Sequence, residues 1–315
     1  MNAIDYATDL YQQQTTNTDF FKRRGITDAT IQEWRLGYAP KKYDITNGPV
    51  PECELKAAGL LTDQGRPRFF NRTMFPIFDD QGKPISFGGR YVGTRDDVPK
   101  YLNGPETDLY HKNHVLYGMD KAPEQFKLGD KYLPGNPALL VEGYMDVLSV
   151  SQVGFKKVMG SCGTAVTKAQ MEFVKKLTTE TYFMYDGDIA GRRASTRGAQ
   201  SAIEVGLFPH IIALENGVDP DDLAQQQGLG GILEKIERSR RSFAEHLWHS
   251  IDHRDIQKRI QALNYAVKVI ARCPDPLIRL MLVDDLGYTF DFPRPKILTF
   301  IEHYYEQANA RTNKV

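Results

Sequence analysis

Residues 138–146 read ALLVEGYMD, and what they become decides the fold. A Gly/Pro-rich stretch, 127–137, breaks the chain just before them, so the short apolar run Ala138–Val141 reads as a buried strand. Glu142 emerges at its carboxyl end, and Gly143 lets the chain turn into a helix. Two later stretches repeat the arrangement. YFMYDGDIAG at 182–191 places Asp186 and Asp188 after an apolar run, and ENGVDPDD at 215–222 places Asp219 and Asp221 after another. In an open α/β sheet the carboxyl ends of the strands form the ligand crevice, so carboxylates far apart in sequence can meet there. Like charges that meet need a cation. Hard divalent ions take oxygen ligands and fill the rest of their shell with water and phosphate. Two of them roughly 3.5–4 Å apart activate an attacking oxygen and stabilise a leaving one at phosphorus. Taken singly, the same residues have a plain structural use: Asp186 and Asp188 as N-caps, Glu142 as a first-turn charge, the 219–222 acids in a surface turn. Three such motifs at successive strand ends favour the metal reading.

Outward from this stretch the chain alternates. Lys157–Met159, Thr181–Tyr185 and Pro209–Leu214 read as strands, Lys168–Lys176 and Ile189–Val205 as helices, which implies a mainly parallel sheet with right-handed crossovers. Cys162 reads as a small buried thiol that fills space. Arg192, Arg193 and Arg197 read equally as a solvated stripe or as contacts to a phosphate-bearing ligand. Upstream, two short helices carry FFKRRGITDATIQEWR at 20–35. Met74–Phe78 and Pro84–Phe87 then form a hairpin, with Arg68, Arg72 and Arg90 near its ends and Gly88 and Gly89 open to close approach by a polyanion. Residues 100–117 read as a proline-punctuated loop into a helix, Leu116–Ala122; in it Lys100, Tyr101, Asn103 and Lys112 are suited to phosphates and bases. Downstream, Gly231–Ser250, Asp255–Arg272, Pro276–Leu286 and Pro295–Gln307 have helical periodicity. His246, His249 and His253 lie at helical spacing without a carboxylate partner and read as a packed or solvated face.

With 315 residues the chain has room for two or three domains. No apolar run is long enough to span a bilayer, and MNAIDYATDLYQQQ lacks the basic start and apolar core of a signal peptide. The reading is therefore a cytoplasmic protein that does not engage the membrane. Cys53, Cys162 and Cys273 stand alone, which supports neither a disulfide framework nor a zinc ribbon, so no zinc is expected in this chain. The 40 basic residues balance 40 acidic ones, so any surface that holds a polyanion must be a local patch.

VEGYMDV, GSCGTAVTKAQ, YDGDIAGRRA and VDPDDL, in this order, together with MFPI, FGGR and KYLNGPETDLYHK upstream, resemble the RNA polymerase core of bacterial DnaG-type primases, whose catalytic domain is of the Toprim class. Phe70 departs from the pattern, standing where that family commonly has a basic residue. The resemblance implies an α/β protein: a mixed α+β amino-terminal subdomain (1–130) for template and nucleotide, a Toprim sheet with flanking helices (131–228) and a carboxy-terminal helical bundle (229–315). It implies synthesis of short RNA primers from nucleoside triphosphates on single-stranded DNA. Glu142, Asp186 and Asp188 would be the catalytic residues, and with Asp219 and Asp221 would bind Mg²⁺ or Mn²⁺, two ions in all. Arg68, Arg72, Arg90, Lys100, Tyr101, Asn103 and Lys112 would hold nucleic acid or nucleotide. The family's amino-terminal zinc domain has no Cys/His set here, so a zinc-domain protein or a replicative helicase would act in trans. The chain reads as a polymerase module of a larger protein or, given its starting Met, as a compact phage- or plasmid-type primase. Two other readings use the same acids differently: a Toprim-type metal-dependent nuclease, and a catalytically silent protein that binds single strands or a replication factor.

Overall fold

The structure is a computed structural model that describes residues 2–15, 19–129, 132–163 and 165–312, with side chains to residue 305. Two sheets organise it. The first is antiparallel, in the order β1 (Gly37–Ala39), β2 (Arg72–Phe78), β3 (Pro84–Tyr91), β4 (Tyr101–Asn103). The second contains β5 (Ala138–Val141), β6 (Val158–Gly160), β7 (Glu180–Phe183), β8 (Phe208–Ile212) and β9 (Arg240–Ser242), in the order β6-β5-β7-β8-β9. Its first four strands are parallel, and β9 runs antiparallel on the edge. The expected α/β class and the mainly parallel sheet are both present.

The second sheet is covered on both faces, which is why its strands read as apolar runs and not as alternating patterns. Leu139, Val141, Tyr182, Met184 and Ile212 face one core, where with Tyr144 they meet Phe21, Trp34 and Phe75 of the amino-terminal part. Ala138, Leu140, Phe183, Tyr185 and Ile211 face the other, where the helices Phe243–His249, Ile256–Ile270 and Pro276–Phe290 pack. A third core lies under the opposite face of the first sheet, against the helix Ala3–Gln13.

Four expectations need correction. Gly37–Ala39 and Tyr101–Asn103 are short edge strands where the sequence reads as connecting segments. No helix forms at Leu116–Ala122: Tyr117 exchanges both backbone hydrogen bonds with Gly160 at 2.8 and 3.0 Å, Gly118 takes φ +88°, and the helix begins only at Ala122. The helix expected over Gly231–Ser250 is broken by β9, after which Ser242 caps Phe243–His249 by accepting from the N–H of Glu245 at 3.1 Å. The helix Pro220–Ser239 itself kinks at Gly228, where φ is 62° and ψ −160°. The boundary expected between 130 and 131 falls on Asp130 and Lys131, outside the described residues. Among the described residues no helix is long and apolar enough to cross a membrane.

Candidate active site

In the order β6-β5-β7-β8 the connections leave β5 in opposite directions, so the crevice of this sheet opens at the carboxyl ends of β5 and β7. Glu142 is the first residue after β5, and Asp186 follows β7 by three residues. Here the backbone N–H of Asp186 donates to Oε1 of Glu142 at 3.3 Å. Gly191, in the first turn of the helix Ile189–Ile203, makes this approach possible: a Cβ on it would lie 2.1 Å from the carbonyl oxygen of Asp186 and 2.9 Å from Glu142 Oε1. A cavity of about 490 Å³ opens at this point, lined by the acids Glu142, Asp146, Asp186, Asp219 and Asp221. Arg24, Arg90, Lys100, Tyr101 and Asn103 line it as well.

The acids are held out of their usual range. Burial, followed by the charges of Asp186 and Asp188, pushes Glu142 up to about 7. Burial and the neighbouring Asp219, Asp188 and Asp222 push Asp186 up to about 6. Asp219 is also raised, by burial first, and Asp146, which is more deeply buried, is raised well above the carboxylate range. An all-oxygen donor set that is short of positive charge fits a hard divalent cation. Among the described residues no three His, Cys, Asp or Glu side chains form a group that could hold a metal ion.

The candidate acids divide. Glu142, Asp186 and Asp219 present carboxylates to the cavity, although Asp219 also caps the helix Pro220–Ser239 by accepting from the N–H of Asp222 at 2.7 Å. Asp188 is an exposed N-cap, accepting from the N–H of Gly191 at 2.7 Å; it is not in the cavity wall and reaches the site through its charge. Asp221 is 1% exposed and committed to three donors: it pairs with Arg24 and accepts from the Ser149 hydroxyl and the Gln225 amide. These contacts leave Asp221 as an anchor between the amino-terminal helices and the catalytic sheet, not as an open metal ligand.

The basic candidates divide too. Arg90, Lys100, Tyr101 and Asn103 face the cavity, with the Arg90 guanidinium 5.9 Å from the centre of the Tyr101 ring. Arg72 does not. It is 2% exposed, and its Nη1 donates to the carbonyls of Gly89 at 3.0 Å and Lys100 at 3.3 Å, so it braces β3 against the segment before β4. Arg68 is held by the Gly59 carbonyl at 2.9 Å and is absent from the cavity wall, and Lys112 lines a separate small pocket beside Tyr110. Gly88 and Gly89 are buried and closed to a polyanion: a Cβ on Gly88 would stand 2.3 Å from the Tyr144 ring, and one on Gly89 3.0 Å from Arg72 and Phe69. Cys162, expected to be packing alone, takes φ +47° and forms part of the cavity wall. Of the histidines read as a packed or solvated face, His246 is buried on the Thr196 hydroxyl at 2.9 Å, while His249 and His253 are exposed and His253 stacks on Trp248 at 4.3 Å.

Two charged lining residues, Asp146 and Arg24, were not singled out from sequence as site members. Asp146 lies four residues after Glu142, on the first turn of the helix Tyr144–Gln152, where its Oδ2 accepts from the N–H of Gly143 at 2.8 Å. Its place in the motif was the available signal. Arg24 belongs to the KRR run at 22–24, but nothing local in the sequence indicates that this run folds against residue 221.

Two family models cover these parts: "DNA primase catalytic core, N-terminal domain" over residues 6–123, and "Toprim-like" over residues 139–224. A solved DnaG primase catalytic domain bound to single-stranded DNA superposes with a TM-score of 0.79 at 30% identity, covering 93% of this chain and 96% of the other. The chain belongs to the DnaG-type primase catalytic cores. A primase domain from Pseudomonas aeruginosa matches this DnaG-type core with a TM-score of 0.81 at 29% identity over 95% of this chain and 98% of that one. The DNA primase of Escherichia coli K12 is 33% identical over 305 residues, 90% of this chain and 51% of its own length. The DnaG-type core thus spans about half the length of the curated relatives it matches. Toprim primases as a family depend on divalent metal ions.

Proposed function

We propose that the chain is the polymerising part of a DNA primase: a DNA-dependent RNA polymerase that joins ribonucleoside triphosphates into short RNA primers on single-stranded DNA in the cytoplasm. The observation that carries this reading is the meeting of Glu142 and Asp186 at the sheet's switch point, in a 490 Å³ cavity that Arg24, Arg90 and Lys100 also line. A cavity of that size accommodates a nucleotide. The relative solved with single-stranded DNA supports the template half of the reading. In this reading residues 1–130 grip template and nucleotide, 131–228 carry the chemistry, and 229–315 buttress the catalytic sheet, with β9 reaching back to its edge.

Glu142, Asp186 and Asp219 would hold one or two Mg²⁺ or Mn²⁺ ions, which supply Lewis acidity at phosphorus and ease deprotonation of the primer 3′-hydroxyl. The chain's own residues orient the reactants. Arg90 and Lys100 receive triphosphate oxygens in the cavity they share with the carboxylates, Arg90 as a fork and Lys100 as a point charge. Tyr101 is 40% exposed and offers a ring face on which a base can stack. Asp188, from the rim, adds negative charge that favours a cation between Glu142 and Asp186. Asn103 accepts from the Tyr144 hydroxyl at 2.8 Å and donates to the Cys162 carbonyl at 2.8 Å, so β4 is fixed against the catalytic sheet at the cavity floor.

The test is incorporation of labelled ribonucleotides on single-stranded DNA with Mg²⁺ or Mn²⁺. Primers are expected from the wild type, and none above background from Asp186→Ala. Full activity in that variant refutes the assignment, and cleavage of DNA in the absence of nucleotides would replace it with a nuclease.

A further inference from the structure

A second recess, about 60 Å³, shares only Asp186 with the main cavity. Three elements bring nitrogen-bearing side chains to it: the guanidiniums of Arg192 from the helix Ile189–Ile203 and Arg241 from β9, and the imidazoles of His246 and His249 from the helix Phe243–His249. Asp186 is the one acid among its lining residues. The nearest acid on the histidines' own helix, Glu245, spends its carboxylate on the N–H of Ser242 at 2.8 Å. Among the described residues neither Arg192 nor Arg241 forms an ion pair; Arg192 donates through Nη1 to the Gly187 carbonyl and keeps its remaining donors.

The two guanidinium charges face a single lining carboxylate, that of Asp186, and neither is ion-paired to it. The imidazole of His246 registers them: burial first, and then the charges of Arg241 and Arg192, hold its pKa down at about 4. Guanidinium groups from two elements, with Ser195 also in the lining, supply several donors to a space that holds roughly four waters. That is the donor set of a tetrahedral oxyanion, which guanidinium forks bind in paired hydrogen bonds.

We propose that this recess is a second oxyanion site that binds one phosphate group, carried by a nucleic-acid backbone or by free pyrophosphate. It differs in place and in residues from the triphosphate-holding wall of Arg90 and Lys100.

The test uses the full chain without divalent ions and reads the imidazole resonances of His246 and His249 while inorganic phosphate is added, with sodium chloride at matched ionic strength as the control. A saturable shift with phosphate and none with chloride is expected. Arg241→Gln and Arg192→Gln should each weaken the apparent affinity about tenfold, the loss of one charge-assisted contact, with melting behaviour unchanged. Two variants at separate elements guard against a folding defect in either. The absence of a saturable shift, a shift equal to that with chloride, or unchanged affinity in both folded variants overturns the proposal. Pyrophosphate and a single-stranded oligonucleotide are then each tested as competitors of phosphate. Displacement by the oligonucleotide assigns the site to backbone phosphate, and displacement by pyrophosphate alone assigns it to the released product. Since no nucleotide incorporation is read, the outcome stands apart from the polymerase reading.

Discussion

The main chain of Asp186 is hydrogen-bonded to the side chain of Glu142, its N–H reaching Oε1 at 3.3 Å across the carboxyl ends of two neighbouring parallel strands. Burial raises both pKa values, and at Glu142 the charge of Asp186 adds to the rise while this backbone donor partly offsets it. The site is thus built at some expense to the stability of the metal-free protein.

Glu142→Gln keeps the shape and removes one of the repelling charges. Primer synthesis is expected to fall at least about a hundredfold, since metal-assisted stabilisation contributes several kcal/mol, while the thermal midpoint of the metal-free protein is unchanged or higher. A lowered midpoint with activity retained would contradict the role assigned to this residue.

Metal affinity should depend on pH. A cation binds the ionised carboxylates, and Glu142 and Asp186 hold their protons up to about 7 and about 6. Mg²⁺ affinity is therefore expected to drop as the pH falls through 7 toward 6, with protons released on binding. Calorimetric titrations in buffers of different ionisation enthalpy count these protons; zero release at neutral pH would rule out Glu142 as a ligand.

Arg24 and Asp221 should behave as a structural pair. Replacing Arg24 by Leu strands a buried carboxylate that keeps only the Ser149 and Gln225 donors. A loss of about 2 kcal/mol is expected, less than for a fully buried pair because Arg24 is 39% exposed. Adding Asp221→Asn should restore part of it. Urea unfolding of the single and double variants measures the coupling, and strict additivity would show that the pair is not an anchor.

Arg72 and Arg90 alternate in register on paired strands and should separate experimentally. Arg72→Met is expected to cost about 1–3 kcal/mol, from two carbonyls that lose a buried donor, without altering the salt dependence of single-strand binding. Arg90→Gln should leave stability nearly intact and reduce the slope of log affinity against log salt by about 0.7, one phosphate contact. A reversed pattern would mean that Arg72 turns outward in solution.

His246 should give the protein an acid-sensitive increment. Its native pKa, about 4, lies below the 6.5 of the free group, so the unfolded chain takes up a proton that the native state refuses. Its contribution is fully present above pH 6.5 and is lost as the pH falls toward 4, at up to about 1.4 kcal/mol per pH unit. His246→Asn should lack that slope. Equal slopes in wild type and variant, from urea melts across this window, would remove the residue from the account of acid stability.

The catalytic half of the fold was legible because its signals are local: apolar runs of strand length, glycines at the turns, and carboxylates just beyond. What escaped was set by tertiary contact. β1, β4 and β9 are three residues each, too short to display a period, and exist because a longer neighbour offers them a free edge. The same limit applied to individual side chains. Arg72 and Arg90 look alike in sequence, and only the pleat of β2 against β3 turns one to backbone carbonyls and the other to the cavity. Asp221 reads as a ligand until Arg24, nearly two hundred positions away, closes on it.

The clasp of Asn103 between the Tyr144 hydroxyl and the Cys162 carbonyl, with Gly88 leaving room for the Tyr144 ring, means that neither sheet owns the pocket floor. Any hybrid assembled from this chain and a cousin must therefore transplant these four positions as a block. Cutting between the halves would divide a single lock between two owners, and each half could fold faithfully while the assembled pocket failed to close.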